Sequence, residues 1–583
     1  MPLARLSILF TIGLFLAGLT YSSPVALNTK NNVTYYGIVK NGIEKFLNIP
    51  YGQDTSGEKR FSNPEPFTFP PNATTYNATA KGPVCPQPVT TSGPVTAAAD
   101  LSEDCLRLKV ARPAGVEAGD KLPVMVYIHG GGLFSGHIND VRNEPDGLIL
   151  RSIENGLPIV YVAMNYRLSI FGFALSEPLK TNKSLNVGLK DQRLALEWVQ
   201  QNIAFFGGDP EHVTVFGQSS GALSVTLQIL SYGGTRPIPF HAGIMQSTAL
   251  EAASTSNLTH DTYNAVAELA ACDVDDDPQS PASLECLRSL PFEELLNVTI
   301  VQHDSTADSN TGDVYLPAVD DDFLPGASSE LTLEGVFPKI PLMIGWTDQD
   351  ATEFTHTNIS TPSDTRNFIQ LFFPGLTNDT LTALLSLYSS SDFTADPAAN
   401  LTAEFYRSAQ IHRDIIFTCP SFLFGHAMAQ KFWNDSSEEA PSVYYYDQNQ
   451  IVASTGVVPP GLGVIHGSEL RYIFGFSGYN ATGGIHPTSD DLELQKRESR
   501  TWSSFASLGR PSLDGRKTLE GWRPAYGEAG DGQFDVNLYV VGGPDAGISR
   551  LSGEGATPHV LSQRLRERCE FLNREYVIAE LKY

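Results

Sequence analysis

The stretch from residue 213 to residue 230 constrains the fold of this chain more than any other part of its sequence. An apolar run at 213–216 leads directly into Gly217-Gln218-Ser219-Ser220-Gly221, and an apolar segment of helical character follows to residue 230. A serine with a glycine two positions away on each side is typical of a sharp strand-to-helix turn, whose strained backbone leaves the serine side chain protruding at the top of a sheet. A serine placed in this way is usually a nucleophile.

Short apolar runs and helical segments alternate around this turn. Between residues 191 and 206 the apolar residues fall on one helical face, and the glycines and proline at 207–210 end that helix. Residues 360–440 are mainly helical in pattern. This alternation predicts an α/β fold with a large, mostly parallel central sheet flanked by helices. Four runs are typical of strands buried on both faces: Leu122–Ile128, 159–164, Ala242–Gln246 and 341–344.

A second glycine-rich motif, His129-Gly130-Gly131-Gly132, lies directly after the first of these predicted strands. Glycines let the backbone approach a bound molecule closely, and the backbone N–H groups of such a loop can donate hydrogen bonds to an oxyanion. A serine hydroxyl needs such donors, and a base that takes its proton, before it can attack a carbonyl group. A plain glycine turn is the competing interpretation, and the separate serine turn argues against it.

The base has to come from 12 histidines. In the chain order typical of such a serine, the histidine follows both the serine and an acid. His466 lies beside Gly467 in a loop that also holds Gly463, so its side chain is free to reach another segment. His129 is expected to be a scaffold residue, whereas spacing alone leaves His356 and His486 open.

The acid is expected at the end of a strand between the serine and the histidine. The predicted strand at 341–344 is followed by Asp348, Asp350 and Glu353. The residues themselves do not choose among these three carboxyl groups.

The composition narrows the possible partners. The 583-residue chain has a formal net charge of −26, with 39 Lys and Arg residues against 65 Asp and Glu residues. This balance argues against nucleic acid or an anionic membrane surface as a partner. The acidic clusters at 273–277 and 320–322 lack the glycine and terminal glutamate of a calcium loop, so we expect solvated loops and no metal site.

The N-terminal residues 1–23 have the pattern of a secretory signal peptide: one positive charge, a short apolar run from Leu6 to Leu19, and small polar residues. The apolar run is shorter than the ~20 residues of a membrane span, and the C-terminus carries no hydrophobic tail. We therefore expect a secreted protein without a membrane anchor, in which residues 24–583 form one catalytic domain with helical insertions.

Two further features fit an exported chain. The six cysteines suggest three disulfide bonds, although spacing alone allows fifteen connectivities. Acceptor sequences for N-linked glycans predict sugar-bearing surface loops at Asn32, Asn72, Asn77, Asn182, Asn257, Asn297, Asn358, Asn378, Asn400, Asn434 and Asn480.

Together these residues resemble the type-B carboxylesterase and cholinesterase-like family of α/β hydrolases, and most of all its secreted fungal esterases and lipases. The similarity extends from about Tyr36 to the C-terminus. Besides the serine turn and the His466 loop, it rests on segments in the family's order: 102–106, 165–168, 171–173, 188–192, 206–210 and 319–325.

The resemblance implies a role for each matched residue. It makes Ser219 the nucleophile, His466 the base and Asp350 the acid of a serine ester hydrolase that needs no cofactor and acts on a small-molecule ester. It implies that the backbone N–H groups of Gly131, Gly132 and Ser220 donate hydrogen bonds to the oxyanion. It also implies that Ser247 supports the acid. It also implies three disulfide bonds: Cys85–Cys105, Cys272–Cys286 and Cys419–Cys569.

Departures from the family pattern bear on the substrate. Gln218 stands where the family often has glutamate, and the loop from Cys85 to Cys105 contains no aromatic residue that could stack on a choline cation. That loop is the lid of the family's lipases, and here its large apolar residues are few: Val89, Val95 and Leu101. We therefore expect an esterase for neutral esters. The alternatives are a lipase or sterol esterase with a short lid, or a non-catalytic binding protein of the same fold.

Four aromatic residues near these motifs could line a substrate pocket: Phe134, Phe216, Trp346 and Phe354. Each could equally belong to the core, which is the expectation for Phe216. The sequence does not predict the oligomeric state.

Overall fold

The computed structural model describes residues 23–89, 100–248, 250–310, 313–434, 443–451, 459–476, 487–527 and 532–583. The predicted signal peptide up to residue 22, Val95, Asn480 and His486 lie outside the described residues. Among the described residues, no helix is both long enough and apolar enough to cross a membrane.

Fourteen strands occur in the described residues: β1 (Val25–Asn28), β2 (Val33–Tyr36), β3 (Ile38–Lys40), β4 (Ile43–Pro50), β5 (Thr75–Asn77), β6 (Arg107–Pro113), β7 (Leu122–Ile128), β8 (Val160–Met164), β9 (Gly208–Gln218), β10 (Ala242–Gln246), β11 (Leu342–Thr347), β12 (Val443–Gln448), β13 (Asn537–Val541) and β14 (Gly547–Arg550).

The helices of the same residues are α1 (Asp146–Glu154), α2 (Ser169–Phe173), α3 (Glu177–Thr181), α4 (Val187–Asn202), α5 (Ser220–Leu230), α6 (Leu258–Leu269), α7 (Pro281–Ser289), α8 (Phe292–Asn310), α9 (Ser328–Glu334), α10 (Pro362–Phe372), α11 (Asn378–Ser386), α12 (Ala403–Arg413), α13 (Cys419–Asn434), α14 (Leu470–Phe474), α15 (Ser489–Leu508), α16 (Pro558–Gln563), α17 (Leu565–Leu572) and α18 (Glu575–Leu581).

Eleven strands form one sheet in the order β14-β13-β12-β11-β10-β9-β7-β8-β6-β4-β3. Its centre, from β8 to β13, is parallel, whereas β3, β4, β6 and β14 pair antiparallel at the two edges. The predicted mostly parallel sheet flanked by helices is confirmed. A separate three-stranded sheet, β1-β2-β5, was not predicted from the sequence, because each of its strands has only three or four residues.

The side chains of β7 show why the sheet is buried on both faces. Val124, Val126 and Ile128 belong to one core, and the alternating Met125 and Tyr127 belong to the other. A strand covered on both faces has no polar side, which accounts for the continuous apolar run in its sequence. The larger core includes buried residues of α4 and α5, and the smaller one includes buried residues of α1 and α15.

The register of the parallel strands brings their carboxyl ends together. Gln218 at the end of β9 lies opposite Gln246 at the end of β10, which in turn lies opposite Gly345 of β11. Side chains that follow these three strands therefore meet at one edge of the sheet, where ligands bind in open α/β sheets.

Disulfide bonds and a buried ion pair fix the surrounding segments. The structure joins the three cysteine pairs that the resemblance implies: Cys85–Cys105, Cys272–Cys286 and Cys419–Cys569. The Arg167 guanidinium donates two hydrogen bonds to the fully buried Asp191 carboxylate, of 2.8 and 2.7 Å. This pair attaches the segment after β8 to α4.

Candidate active site

The serine turn has the strained geometry that its sequence predicts. Ser219 has φ 60° and ψ −133°, and α5 begins at the next residue. A Cβ at Gly217 would lie 2.4 Å from the backbone carbon of Gly221, and a Cβ at Gly221 would lie 2.1 Å from the carbonyl oxygen of Ile128. Both contacts are far too short for a real side chain, so only glycine fits on either side of the serine.

The glycine loop after β7 lies against this turn. Gly131 and Gly132 have φ values of 116° and 61°, in a region that favours glycine. The backbone N–H of Leu133 donates a 3.1 Å hydrogen bond to Ser220 Oγ, which ties the loop to the start of α5. Gly132, Ser219 and Ser220 line the same cavity. The structure thus brings the glycine loop and the serine turn together.

The structure also pairs one of the histidines with one of the carboxyl groups left open by the sequence. His466 Nδ1 donates to Asp350 Oδ1 over 2.5 Å. Asp350 is fully buried, and its second oxygen accepts a 2.9 Å hydrogen bond from the backbone N–H of Thr347 at the end of β11. Because the carboxylate occupies Nδ1, the Nε2 lone pair of the neutral ring faces the other way.

The charges around His466 set its pKa. Burial lowers the pKa of the imidazole, whereas the neighbouring carboxylates, first Asp350 and then Glu469 and Glu353, raise it. The net result is a pKa above the ordinary value of 6.5. The rings of Phe354 and Phe417 lie 5.2 and 5.0 Å from the imidazole and shield it from solvent.

Gln218 contacts the other ring nitrogen of the histidine. Its side-chain Nε2 donates to His466 Nε2 over 3.0 Å, and the side chain is 7% exposed. Ser219 and His466 share no hydrogen bond in this arrangement. The amide therefore takes the imidazole lone pair that a serine hydroxyl would need.

The two other candidate acids have different partners. Asp348 lies 3.5 Å from both Arg413 and His559, and burial, together with the Asp447 carboxylate, raises its pKa to about 6. Burial raises the pKa of the Glu353 carboxyl group, and its electrostatic interaction with His466 opposes this rise.

The same charged network contains the one group of described side chains whose ligand atoms are close enough to hold a metal ion: Asp348, Asp447 and His559. The Arg413 guanidinium beside it already supplies positive charge. An ion pair network accounts for this group.

Two polar residues behind the site differ in how much sequence reasoning revealed. Ser247 is fully buried with φ 61°, and its hydroxyl has no hydrogen-bond partner, so it makes no hydrogen bond to the Asp350 carboxylate. Glu469, three residues after His466, is a site residue that sequence reasoning did not identify. Its carboxyl accepts a 3.1 Å hydrogen bond from Gln246, and burial next to Asp350 raises its pKa to about 7.

A small cavity of about 30 Å³ opens in front of Ser219. Of the four aromatic candidates only Phe354 lines it, whereas Phe216 and Trp346 are fully buried in the core and Phe134 stacks on His303 at 3.8 Å. The rest of the lining was not predicted from the sequence: Leu133, Leu223, Thr248, Glu251, Asp313, Leu316, Ile416 and Phe417.

The fold and this site define an α/β hydrolase. A family model described as the carboxylesterase family matches residues 32–537. The chain belongs to the carboxylesterase family, and its reaction class is the hydrolysis of carboxylic esters.

Several known proteins are similar over nearly the whole chain. A secreted lipase of Arthroderma benhamiae is 41% identical over 97% of this chain and 97% of its own length. An inactive carboxylesterase-like protein, VdtD of Byssochlamys spectabilis, is 35% identical and covers 95% of this chain and 94% of its own. The crystal structure of Aspergillus niger EstA superposes with a TM-score of 0.77 at 25% identity, over 96% of this chain and 99% of that one.

Proposed function

We propose that the protein is a serine esterase that hydrolyses neutral carboxylic esters through an acyl-enzyme intermediate. The observation that carries this proposal is the 2.5 Å hydrogen bond between His466 and Asp350, at the same sheet edge as the strained Ser219. The three side chains come from segments far apart in sequence.

The first half of the reaction forms the acyl-enzyme. Ser219 Oγ attacks the ester carbonyl carbon while His466 Nε2 takes its proton, and Asp350 holds the ring in the required tautomer. The carbonyl oxygen becomes an oxyanion that accepts hydrogen bonds from three backbone N–H groups: Gly131, Gly132 and Ser220. His466 then passes its proton to the leaving alcohol.

The second half releases the acid. A water molecule gives its proton to His466 and attacks the acyl carbon, and the proton returns to Ser219 as the ester bond to the enzyme breaks. Before each attack, the Nε2 lone pair must exchange the Gln218 amide for the incoming hydroxyl, because the two compete for one acceptor.

Neutral esters fit the surroundings of the serine. Gln218 brings no charge to the position next to Ser219, and its side chain is nearly buried.

A lipase is the second candidate, because the similar protein of Arthroderma benhamiae is named a secreted lipase. Most of the loop that would form the lid, residues 90–99, lies outside the described residues. Rates measured below and above the solubility limit of an ester separate the two, since a jump at the oil–water interface identifies a lipase.

We further propose that the protein is secreted and glycosylated, with residues 24–583 as one catalytic domain. Three disulfide bonds support an oxidising compartment. All the predicted glycan acceptors up to Asn400 are solvent-exposed, as glycosylation requires. Intact-mass measurement of the exported protein before and after glycosidase treatment would show the attached sugar.

Ser219→Ala tests the proposed reaction. We expect kcat for p-nitrophenyl butyrate to fall by on the order of 10⁶-fold, because no other group can form the acyl-enzyme. Ser254→Ala, which alters a serine outside the cavity lining, is the matched control and should keep wild-type kinetics. The test is needed because a relative at 35% identity is named inactive. Near-normal turnover by Ser219→Ala would contradict the assignment of Ser219 as the nucleophile.

A further inference from the structure

The cavity in front of Ser219 contains two carboxyl side chains that the proposed reaction does not use. Glu251 comes from the loop after β10, and Asp313 comes from the segment after α8. Most of the remaining side chains that line the cavity are apolar: Leu133, Leu223, Leu316, Phe354, Ile416 and Phe417. Placing the Glu251 carboxyl group beside so many apolar side chains is costly unless something pairs with it.

Asp313 lies close to the reacting centre. A Cβ at Gly132 would lie 2.5 Å from Asp313 Oδ1, so this carboxylate oxygen is next to the glycine loop that would hold the oxyanion. Glu251 has no hydrogen-bond or ion-pair partner among the described residues, although it lines the same cavity as Asp313 and interacts with it electrostatically. Thr248 offers it no free donor, because its hydroxyl already bonds to the carbonyl oxygen of Leu250 and lies 3.1 Å from that of Ile416.

Two carboxyl groups in one apolar cavity do not both ionise readily. Burial and the Asp313 carboxylate raise the pKa of Glu251 well above its ordinary value, which favours the neutral form of this carboxyl group. The two carboxyl groups together then offer both a hydrogen-bond donor and several acceptor sites to a molecule in the cavity.

We propose that Glu251 and Asp313 form a recognition site for a hydroxyl group of the ester substrate, within a few bonds of the scissile carbonyl. A hydroxyl both donates and accepts, which matches a carboxyl pair that shares one proton, whereas an ammonium group only donates and an alkyl chain does neither. The short distance from Asp313 to the glycine loop sets the separation between hydroxyl and carbonyl. This inference rests on the proposed esterase function and names its substrate class.

Matched pairs of esters test the inference by pH-stat assay at pH 7. Ethyl 3-hydroxybutyrate against ethyl butyrate places the hydroxyl on the acyl group, and 2-hydroxyethyl acetate against propyl acetate places it on the alcohol. We expect one of the two hydroxylated esters to have a kcat/KM at least ~10-fold above its partner, because a site built to bond a hydroxyl rejects the analogue that lacks it.

Variants of Glu251 and Asp313 test whether these two side chains cause the preference for the hydroxylated ester. Glu251→Leu and Asp313→Ala should each reduce the ratio to about one, whereas Glu251→Gln should largely keep it, since an amide donates and accepts like a neutral carboxyl group. Asp304→Asn removes a carboxylate that is 71% exposed on α8 and should leave the ratio at the wild-type value. Using two separate positions keeps the test decisive if one variant fails to fold.

Three results would overturn the inference: wild-type ratios near one in both pairs, a wild-type ratio retained in Glu251→Leu or Asp313→Ala, or a higher kcat/KM for ethyl 3-aminobutyrate than for ethyl 3-hydroxybutyrate. The proposed function is assessed separately, by whether hydrolysis of ethyl butyrate depends on Ser219. Absence of turnover of every ester by the wild-type protein would overturn both.

Discussion

The surroundings of the His466 imidazole determine the pH at which the proposed base can act. Burial lowers its pKa, and the carboxyl groups of Asp350, Glu469 and Glu353 raise it above the ordinary value of 6.5. Only the neutral ring can accept the proton of Ser219, so kcat/KM should fall as the pH drops through this raised pKa. Besides these carboxyl groups, the imidazole contacts the uncharged side-chain amide of Gln218, which lies 3.0 Å from Nε2.

Gln218→Glu should move this acid limb. A carboxylate in place of the amide lies beside the imidazole and favours its protonated form, so the pKa rises and the limb of the kcat/KM profile shifts upward by about one pH unit. Gln218→Met fills a similar volume without charge and should leave the limb near its wild-type position. An identical shift in both variants, or none in Gln218→Glu, would contradict this electrostatic account.

At the scale of elements, the turn between β9 and α5 was predictable because its requirements are local. Gly217 and Gly221 leave no room for a side chain, and the strained φ of Ser219 follows from the same turn. The strand at β7 and the strand at β10 match the predicted boundaries, because each is a continuous apolar run between polar or glycine residues. Local backbone geometry and burial on both faces leave a direct trace in the sequence.

The choice of acid was not predictable from the residues alone. Asp348 and Asp350 are two positions apart after the same strand, and both follow it closely enough to reach the site. The structure separates them through tertiary contacts: Arg413, from the end of α12, and His559, from α16, lie beside Asp348, which leaves Asp350 to His466. The resemblance to a family supplied the choice that spacing could not.

The substrate cavity was the least predictable element. Its carboxyl groups, Glu251 and Asp313, lie 62 positions apart in segments without a motif, and their proximity depends on how the loop after β10 and the segment after α8 pack. Of the aromatic residues near the motifs, three of four belong elsewhere. Proximity to a motif in sequence is a poor guide to a cavity wall, since strand residues next to motifs point into the core.

At the scale of the whole molecule, buried carboxyl groups make stability depend on pH. Burial, with nearby carboxylates, raises the pKa of Asp348 to about 6 and of Glu469 to about 7, and raises that of Glu498 well above 4.5. Such groups bind more protons in the folded than in the unfolded chain, so stability falls as the pH rises from their unfolded to their folded pKa values. Glu144 acts oppositely: burial raises its pKa, but Lys109 and Lys45 outweigh this and lower it to about 2.

We therefore expect the thermal midpoint to be highest near pH 5 and to fall by several degrees by pH 8. Below about pH 4, carboxylates such as that of Glu144 begin to be protonated and lose their ion pairs. Above pH 5, the buried carboxyl groups lose their protons, and each then costs about 1.4 kcal/mol of folding stability per unit by which its pKa is raised. The formal charge of −26 adds repulsion in the same direction. Differential scanning fluorimetry from pH 3 to pH 9 gives the curve.

Glu498→Gln is the control for this prediction. Glu498 is fully buried, and a glutamine there is neutral at every pH, so the variant should lose less stability between pH 5 and pH 8 than the wild-type protein. A midpoint that stays level or rises from pH 5 to pH 8 in the wild-type protein would show that the buried carboxyl groups do not govern its stability.

Mass spectrometry of the protein treated with a fluorophosphonate tests whether Ser219 carries the acyl group. We expect one adduct per chain, located on the peptide that contains Ser219. We expect no adduct on Ser219→Ala and slower labelling of His466→Ala, because that variant lacks the base. An unlabelled wild-type protein, or an adduct on a serine other than Ser219, would contradict this role of Ser219.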